Sequence, residues 1–214
     1  MKTALIAGAS GLVGGHLLSI LLESDRYEKI VSIGRRKLDI EHSKLTQQIV
    51  DFNNIKLDEQ NIDDVFCCLG TTMKKAGSKE KFRLVDFQYP LNIASCFLAG
   101  GAYRFLLVSS MGAKTSSNIF YNSVKGEVEI AVNKLGYSRT DIFRPSLLLG
   151  ARGESRFAED IGKIGMKLLG FLFVGSLKNY KAIKSIKVAR AMLHFAQEES
   201  HGDYLHLSAD LQKF

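Results

Sequence analysis

Tryptophan is absent from this 214-residue chain, proline occurs only at Pro90 and Pro145, and cysteine only at Cys67, Cys68 and Cys96. No stretch is rich in proline, serine or glutamine, which excludes long linkers and extensive disorder. The cysteines have no metal-ligand spacing and the adjacent pair is poorly placed to bridge, so they read as small buried apolar residues in a reducing compartment. Histidine is also sparse, and His16, His42, His194, His201 and His206 form no pair at metal spacing. His16 reads as a packing or surface residue of the first helix.

Long hydrophobic runs are missing too. The apolar start, Ala4 to Ala7, is broken at once by Gly8 and is too short for a signal peptide. Leu168 to Leu177 covers roughly half of the about 20 residues a membrane helix needs. A soluble, cytoplasmic protein without a transmembrane segment is expected. Acidic residues are in deficit, 22 against 29 basic ones, for a net charge of +7. One regular feature stands out in that excess: Lys178, Lys181, Lys184, Lys187 and Arg190 recur every third residue. The series reads first as a solvated face near a helix, with an anionic partner as the alternative. Nucleic acid is not expected.

What is present is a core-forming share of apolar residues, 46%, in a length that suits one α/β domain. Short β-branched runs at Lys2–Ala7, Lys29–Ile33, Gln47–Phe52, Val65–Leu69, Arg104–Ser109, Tyr137–Phe143 and Tyr204–Ser208 read as strands. Between them, helical periodicity marks Leu12–Leu22, Asp86–Leu98, Asn118–Leu135 and Ile186–Gln197, with Gly100-Gly101 and Gly136 as stops. Residues 150–176 read as helical and capping. This alternation predicts a doubly wound parallel sheet with helices on both faces, a single Rossmann domain spanning 1–214 in which residues 150–214 complete the substrate side.

The first strand leads into Gly8-Ala9-Ser10-Gly11-Leu12-Val13-Gly14. Glycines three apart between a strand and a helix allow a tight turn, close approach of backbone to a pyrophosphate, and close helix–strand packing. The helix N-terminus adds free N–H groups and a positive dipole end. Dinucleotide contacts are therefore expected from Gly8, Ser10, Gly11, Leu12, Val13 and Gly14. At the end of the second strand a carboxylate would favour NAD, whereas an arginine accommodates a 2′-phosphate. The chain has Gly34-Arg35-Arg36-Lys37 there and no acid before Asp39. Arg35 and Arg36 thus point to NADPH or NADP+ rather than NAD. Asp51 and Phe52 are placed to meet the adenine, and the backbone of Cys68, Leu69, Gly70 and Thr71 to pass the cofactor ribose.

Tyr121 and Lys125 are four residues apart on the long helix, hence on one face. A nearby ammonium favours the phenolate form of a tyrosine, which equips Tyr121 to exchange a proton with a carbonyl or alcohol oxygen. Lys125 can also hold ribose hydroxyls. The preceding strand ends in Ser109-Ser110, and a serine there can orient the reacting oxygen; Ser110 is the first candidate and Ser109 the alternative.

Taken together, these residues resemble the short-chain dehydrogenase/reductase superfamily, the glycine turn its atypical branch. The segments Gly34-Arg35-Arg36-Lys37-Leu38, Cys67 to Thr72, Lys125-Gly126-Glu127-Val128-Glu129 and Phe143-Arg144-Pro145 are similar to the HIV Tat-interacting-protein-like oxidoreductases. The resemblance runs through nearly the whole chain. It implies a Rossmann fold, NADPH, a catalytic set falling on Ser110, Tyr121 and Lys125, and a nicotinamide side lined by Pro145 to Leu148. The function expected is an NADPH-dependent oxidoreductase acting on a small carbonyl or alcohol. The alternative is an NADP(H)-binding redox sensor without turnover whose surface is read by a protein partner. An oligomer stays open.

Overall fold

The computed structural model describes residues 2–56, 61–150 and 181–214. Strands and helices alternate in the order β1 (Lys2–Ala7), α1 (Leu12–Glu23), β2 (Tyr27–Gly34), β3 (Leu45–Ile49), β4 (Asp64–Cys67), α2 (Met73–Ala76), α3 (Lys79–Arg83), a π-helical stretch (Leu84–Gln88) and α4 (Tyr89–Ala99). Then follow β5 (Arg104–Val108), α5 (Phe120–Asn133), β6 (Arg139–Arg144), β7 (Leu148–Leu149), β8 (Ile183–Lys184), α6 (Ser185–Ala196), β9 (Gly202–Leu207) and α7 (Ser208–Leu211). Seven strands form one sheet in the order β3-β2-β1-β4-β5-β6-β9, every pair parallel. This is the expected Rossmann domain.

Alternation along the strands divides the core. Ala4, Ile6, Ile30, Phe66, Leu106 and Phe143 pack with Leu17, Leu21, Val188 and Met192 of α1 and α6. Leu5, Ala7, Val31, Val65, Phe105 and Leu107 pack on the other face with Ile93, Phe97, Val128 and Val132 of α4 and α5. A strand with side chains buried on both sides reads as a continuous apolar run, as Ala4 to Ala7 does. The sheet reverses its order between β1 and β4, and ligands in such sheets sit beyond the carboxyl ends of the strands at that point.

The opposite, amino-terminal edge holds a buried ionic cluster. Asp64, Arg104 and Arg139 sit side by side on β4, β5 and β6. The Asp64 carboxylate accepts from Tyr27 Oη at 2.6 Å and from Arg104 Nη1 at 2.8 Å. Arg139 grips Asp141 through Nε and Nη2, and His206 Nε2 lies 2.8 Å from the same carboxylate.

Three expectations need correction. β3 ends at Ile49 rather than at Phe52, because the Asp51 carboxylate accepts the Asn53 N–H at 2.9 Å and turns the chain. The helix expected over Asp86–Leu98 is preceded by further helical turns, α2 and α3, capped by the hydroxyls of Thr72 and Ser78. Its start is π-helical: Pro90 has no N–H for the Asp86 carbonyl, and the Tyr89 N–H reaches back to Leu84 instead. Cys67 is buried as expected, its thiol pushed up to about 12 by burial, but Cys96 is exposed. The stretch expected over 150–176 and Lys178 lie outside the described residues, apart from Gly150. The rest of the lysine series is only partly a solvated face. Lys187 Nζ donates to the Gln212 carbonyl and Arg190 Nη1 to the Phe214 oxygen at 3.4 Å, tying down the chain's last turn.

Candidate active site

The turn after β1 carries out the steric role its glycines predict. Gly8 has φ +88°, and the Gly11 N–H donates to the Gly8 carbonyl at 2.9 Å. A side chain on Gly14 would collide with that same carbonyl. The helix begins immediately, with Val13 and Gly14 buried against the sheet. Across the switch point, Cys68 joins its N–H to the Ala7 carbonyl at 2.8 Å, bringing the loop from Cys68 to Thr72 beside the glycine turn.

β2 delivers Gly34 next to this turn, and Arg35 and Arg36 follow it on the surface, exposed and without an ion pair or hydrogen bond among the described residues. Asp51 is likewise exposed, beyond the end of β3. Phe52 is a correction: its ring is buried in the core against Tyr89 at 5.2 Å, so it offers the cofactor edge no open face. Its carbonyl is held by Asn92 Nδ2 at 2.8 Å, which makes Asn92 an anchor of this loop.

Tyr121 and Lys125 lie one turn apart on α5, as their spacing predicts. The Tyr121 ring rests on Phe82, which is fully buried, at 5.3 Å. Lys125 is 4% exposed. Its ammonium stands 2.8 Å from Asp86 Oδ1, and a Cβ built on Gly70 would lie 3.8 Å from it. The other oxygen of Asp86 accepts the Thr71 N–H at 2.8 Å. Burial works against the Lys125 charge, yet the neighbouring Asp86, Tyr121 and Cys67 together, Asp86 foremost, hold this lysine above its ordinary value.

The two serines separate cleanly. Ser109 donates its hydroxyl to Glu129, and Arg144 clasps the same carboxylate through Nε at 2.9 Å and through Nη2. Ser109 is thus committed to a network that fixes α5 to the ends of β5 and β6. Ser110 Oγ is buried and has no hydrogen-bond partner among the described residues. Pro145 is buried and its carbonyl accepts the Met111 N–H at 2.9 Å, while Leu148 pairs with Ile183 in a second, two-stranded sheet.

Asp86, Glu129 and Arg144 were missed by the reading of the sequence. Asp86 had a signal: it is a lone carboxylate inside the apolar run Leu84-Val85-Asp86-Phe87. Glu129 had another, standing eight residues after Tyr121 and four after Lys125 on one helical face.

A parallel sheet with a glycine turn at its switch point and a Tyr-x-x-x-Lys helix beside it defines a dinucleotide-binding domain of the short-chain dehydrogenase/reductase type. The chain belongs to the NAD dependent epimerase/dehydratase family, whose profile matches residues 4–204. It is 42% identical over 201 residues to Protein HTATIP2 of Rattus norvegicus, covering 90% of this chain and 80% of the relative. It is 32% identical over 205 residues to Protein FMP52, mitochondrial, of Debaryomyces hansenii, covering 92% and 88%. Among solved structures, MoeE5 in complex with UDP-glucose and NAD superposes with a TM-score of 0.73 at 16% identity, covering 95% of this chain and 75% of the other.

One expectation falls here. A cytoplasmic location was read from the lack of a leader-like start, but the Debaryomyces relative is named mitochondrial, as are those of Candida albicans and Emericella nidulans. Among the described residues no helix is long and apolar enough to cross a membrane, and no cluster of metal-ligating side chains occurs.

Proposed function

We propose that the protein is an NADPH-dependent oxidoreductase acting on a small carbonyl or alcohol. The observation that carries this reading is the buried Lys125 side chain, 2.8 Å from the Asp86 carboxylate, beside Gly70 and one helical turn from Tyr121. The residues present fit the cofactor. The glycine turn is kept free of side chains where backbone must approach a pyrophosphate, and the hydroxyl of Ser110 is buried without a partner among the described residues. Gly8, Ser10, Gly11, Leu12, Val13 and Gly14 would hold the phosphates, Asp51 the adenine, and Leu69, Gly70, Thr71 and Lys125 the nicotinamide ribose. Arg35 and Arg36 would take the 2′-phosphate.

When bound, the cofactor supplies or accepts the hydride. Ser110 donates a hydrogen bond to the substrate oxygen and orients it. Tyr121 passes its phenolic proton to that oxygen in reduction, or takes one from the alcohol in oxidation. Lys125 favours the phenolate that this transfer leaves behind. Pro145 and Leu148 border the reacting end, and residues 150–214 complete the substrate side.

The test is a fluorescence titration with NADPH followed by a turnover assay on small ketones, aldehydes and quinones. NADPH binding is expected, with oxidation of NADPH by at least one class. Tyr121→Phe should lower turnover by about 10²–10⁴-fold while leaving NADPH affinity in place. Binding without turnover across that panel overturns the enzyme and leaves a nucleotide-reading protein.

A further inference from the structure

We propose that Asp86 is a positioning residue whose carboxylate keeps the buried Lys125 side chain a permanent cation and ties it to the loop that follows β4. The proposal deepens the reading above and rests on a nicotinamide dinucleotide lying over that loop.

An ammonium withdrawn from water loses its hydration, so burial alone drives a lysine toward the neutral amine. Among the described residues, three titratable groups face Lys125: Asp86 from the π-helical stretch, Tyr121 from its own helix and Cys67 from the end of β4. Cys67 is held as a neutral thiol, since burial pushes it up to about 12. Asp86 is the carboxylate among the three, and it is 1% exposed. Burial is the largest single influence on the lysine; without Asp86 only Tyr121 and Cys67 oppose it, and the amine becomes neutral as pH rises toward the alkaline range.

The same carboxylate does a second thing. One oxygen meets the ammonium at 2.8 Å while the other accepts the Thr71 N–H at 2.8 Å. Helix α5 and the cofactor loop are therefore gripped by a single side chain, with Gly70 between them leaving no side chain in the way. Lysine carries three donors, and the ion pair with Asp86 holds the ammonium where they can serve ribose hydroxyls and the Tyr121 oxygen. The placement depends on the wide turn. Pro90 withholds the N–H that would close a regular helix onto the Asp86 carbonyl, and the π-helical stretch sets Asp86 inward.

The experiment compares NADPH affinity, read by fluorescence, between about pH 6 and 9.5, a range lying below the titration of an ordinary lysine. Asp86→Asn keeps an acceptor for the Thr71 N–H but removes the charge. It is expected to match the parent protein within about twofold at the acid end. As pH rises it should lose about tenfold in affinity for each unit by which the ammonium's titration has moved into the range. Asp86→Glu, which restores the charge, should move the profile back. A deficit of equal size at every pH marks a merely structural residue and overturns the proposal, as does no deficit at all.

Should Asp86→Asn fail to fold, the parent protein itself is decisive. Its Lys125 ammonium, observed by ¹⁵N NMR and assigned by its loss in Lys125→Arg, should persist to about pH 9.5; disappearance below about pH 8 overturns the proposal. That measurement needs no cofactor. A protein that binds no NADPH would sink the function proposed above while leaving the state of Lys125 to be read directly.

Discussion

Gly8 passes so close to Cys68 that a Cβ built on it would stand 2.6 Å from both the carbonyl carbon and the carbonyl oxygen of that residue. Two requirements meet at this position: φ of +88° and no room. Gly8→Ala should cost about 2–4 kcal/mol in urea unfolding, strain and overpacking together, and abolish NADPH binding. Gly136 supplies the control, having φ of +81° and nothing within reach of an added Cβ. Gly136→Ala should cost only the strain, about 1–2 kcal/mol, and leave NADPH affinity unchanged.

Arg35 and Arg36 stand exposed at the end of β2, uncommitted among the described residues. Each charge-assisted bond to a 2′-phosphate contributes about 1.5–3 kcal/mol, so Arg35→Ala and Arg36→Ala should each lower NADPH affinity about tenfold or more. NADH affinity should hardly move. Calorimetry with both nucleotides on the single and double variants measures the preference, and an undiminished preference in the double variant contradicts the assignment to NADPH.

The Lys125–Asp86 pair should dominate the energetics of the site. Removing one partner of a buried pair costs about 3–5 kcal/mol because the other charge is left uncompensated. Lys125→Met and Asp86→Asn should each show such a loss, and the double variant clearly less than their sum. The sign with pH follows from the direction of the shift. Lys125 titrates higher folded than unfolded, so its contribution is complete below the unfolded value of about 10.4 and vanishes as pH climbs past the folded one. Unfolding titrations of the parent and of Lys125→Met should therefore converge only at strongly alkaline pH.

Asp64 tests the division of labour along the strands. It serves Tyr27 and Arg104 at the edge opposite the glycine turn, and all three are buried. Asp64→Asn should destabilise by about 3–5 kcal/mol with NADPH affinity unchanged within about twofold. A large change in affinity would mean the two edges are coupled.

The parallel architecture was legible because its strands are buried on both sides and its turns carry glycine. The glycine turn and the Tyr121–Lys125 pair were legible because spacing alone decides them. Other features were fixed by side-chain contacts that no pattern of apolar residues announces. The end of β3 depended on the Asp51 carboxylate turning back to Asn53, a local bond that competes with a strand pattern still running in the sequence. The burial of Phe52 depended on α4 packing behind it. Asp86 was hidden because a regular helix would have been drawn through it, and only the missing N–H of Pro90 makes that helix widen. The choice between Ser109 and Ser110 turned on Glu129, which meets Ser109 from 20 residues away and is itself held by Arg144, 15 residues further on.

The widened turn sets local regularity against the site. Removing a single residue between Leu84 and Gln88 and replacing Pro90 by alanine would let an ordinary helix run through, with better backbone geometry, and the deletion would swing every side chain on one of its flanks by about 100°. The carboxylate would leave the lysine. Directed evolution of this protein for heat resistance alone, with no demand for ligand, should therefore tend to iron out this irregularity, trading an anchored cation for a smoother rod.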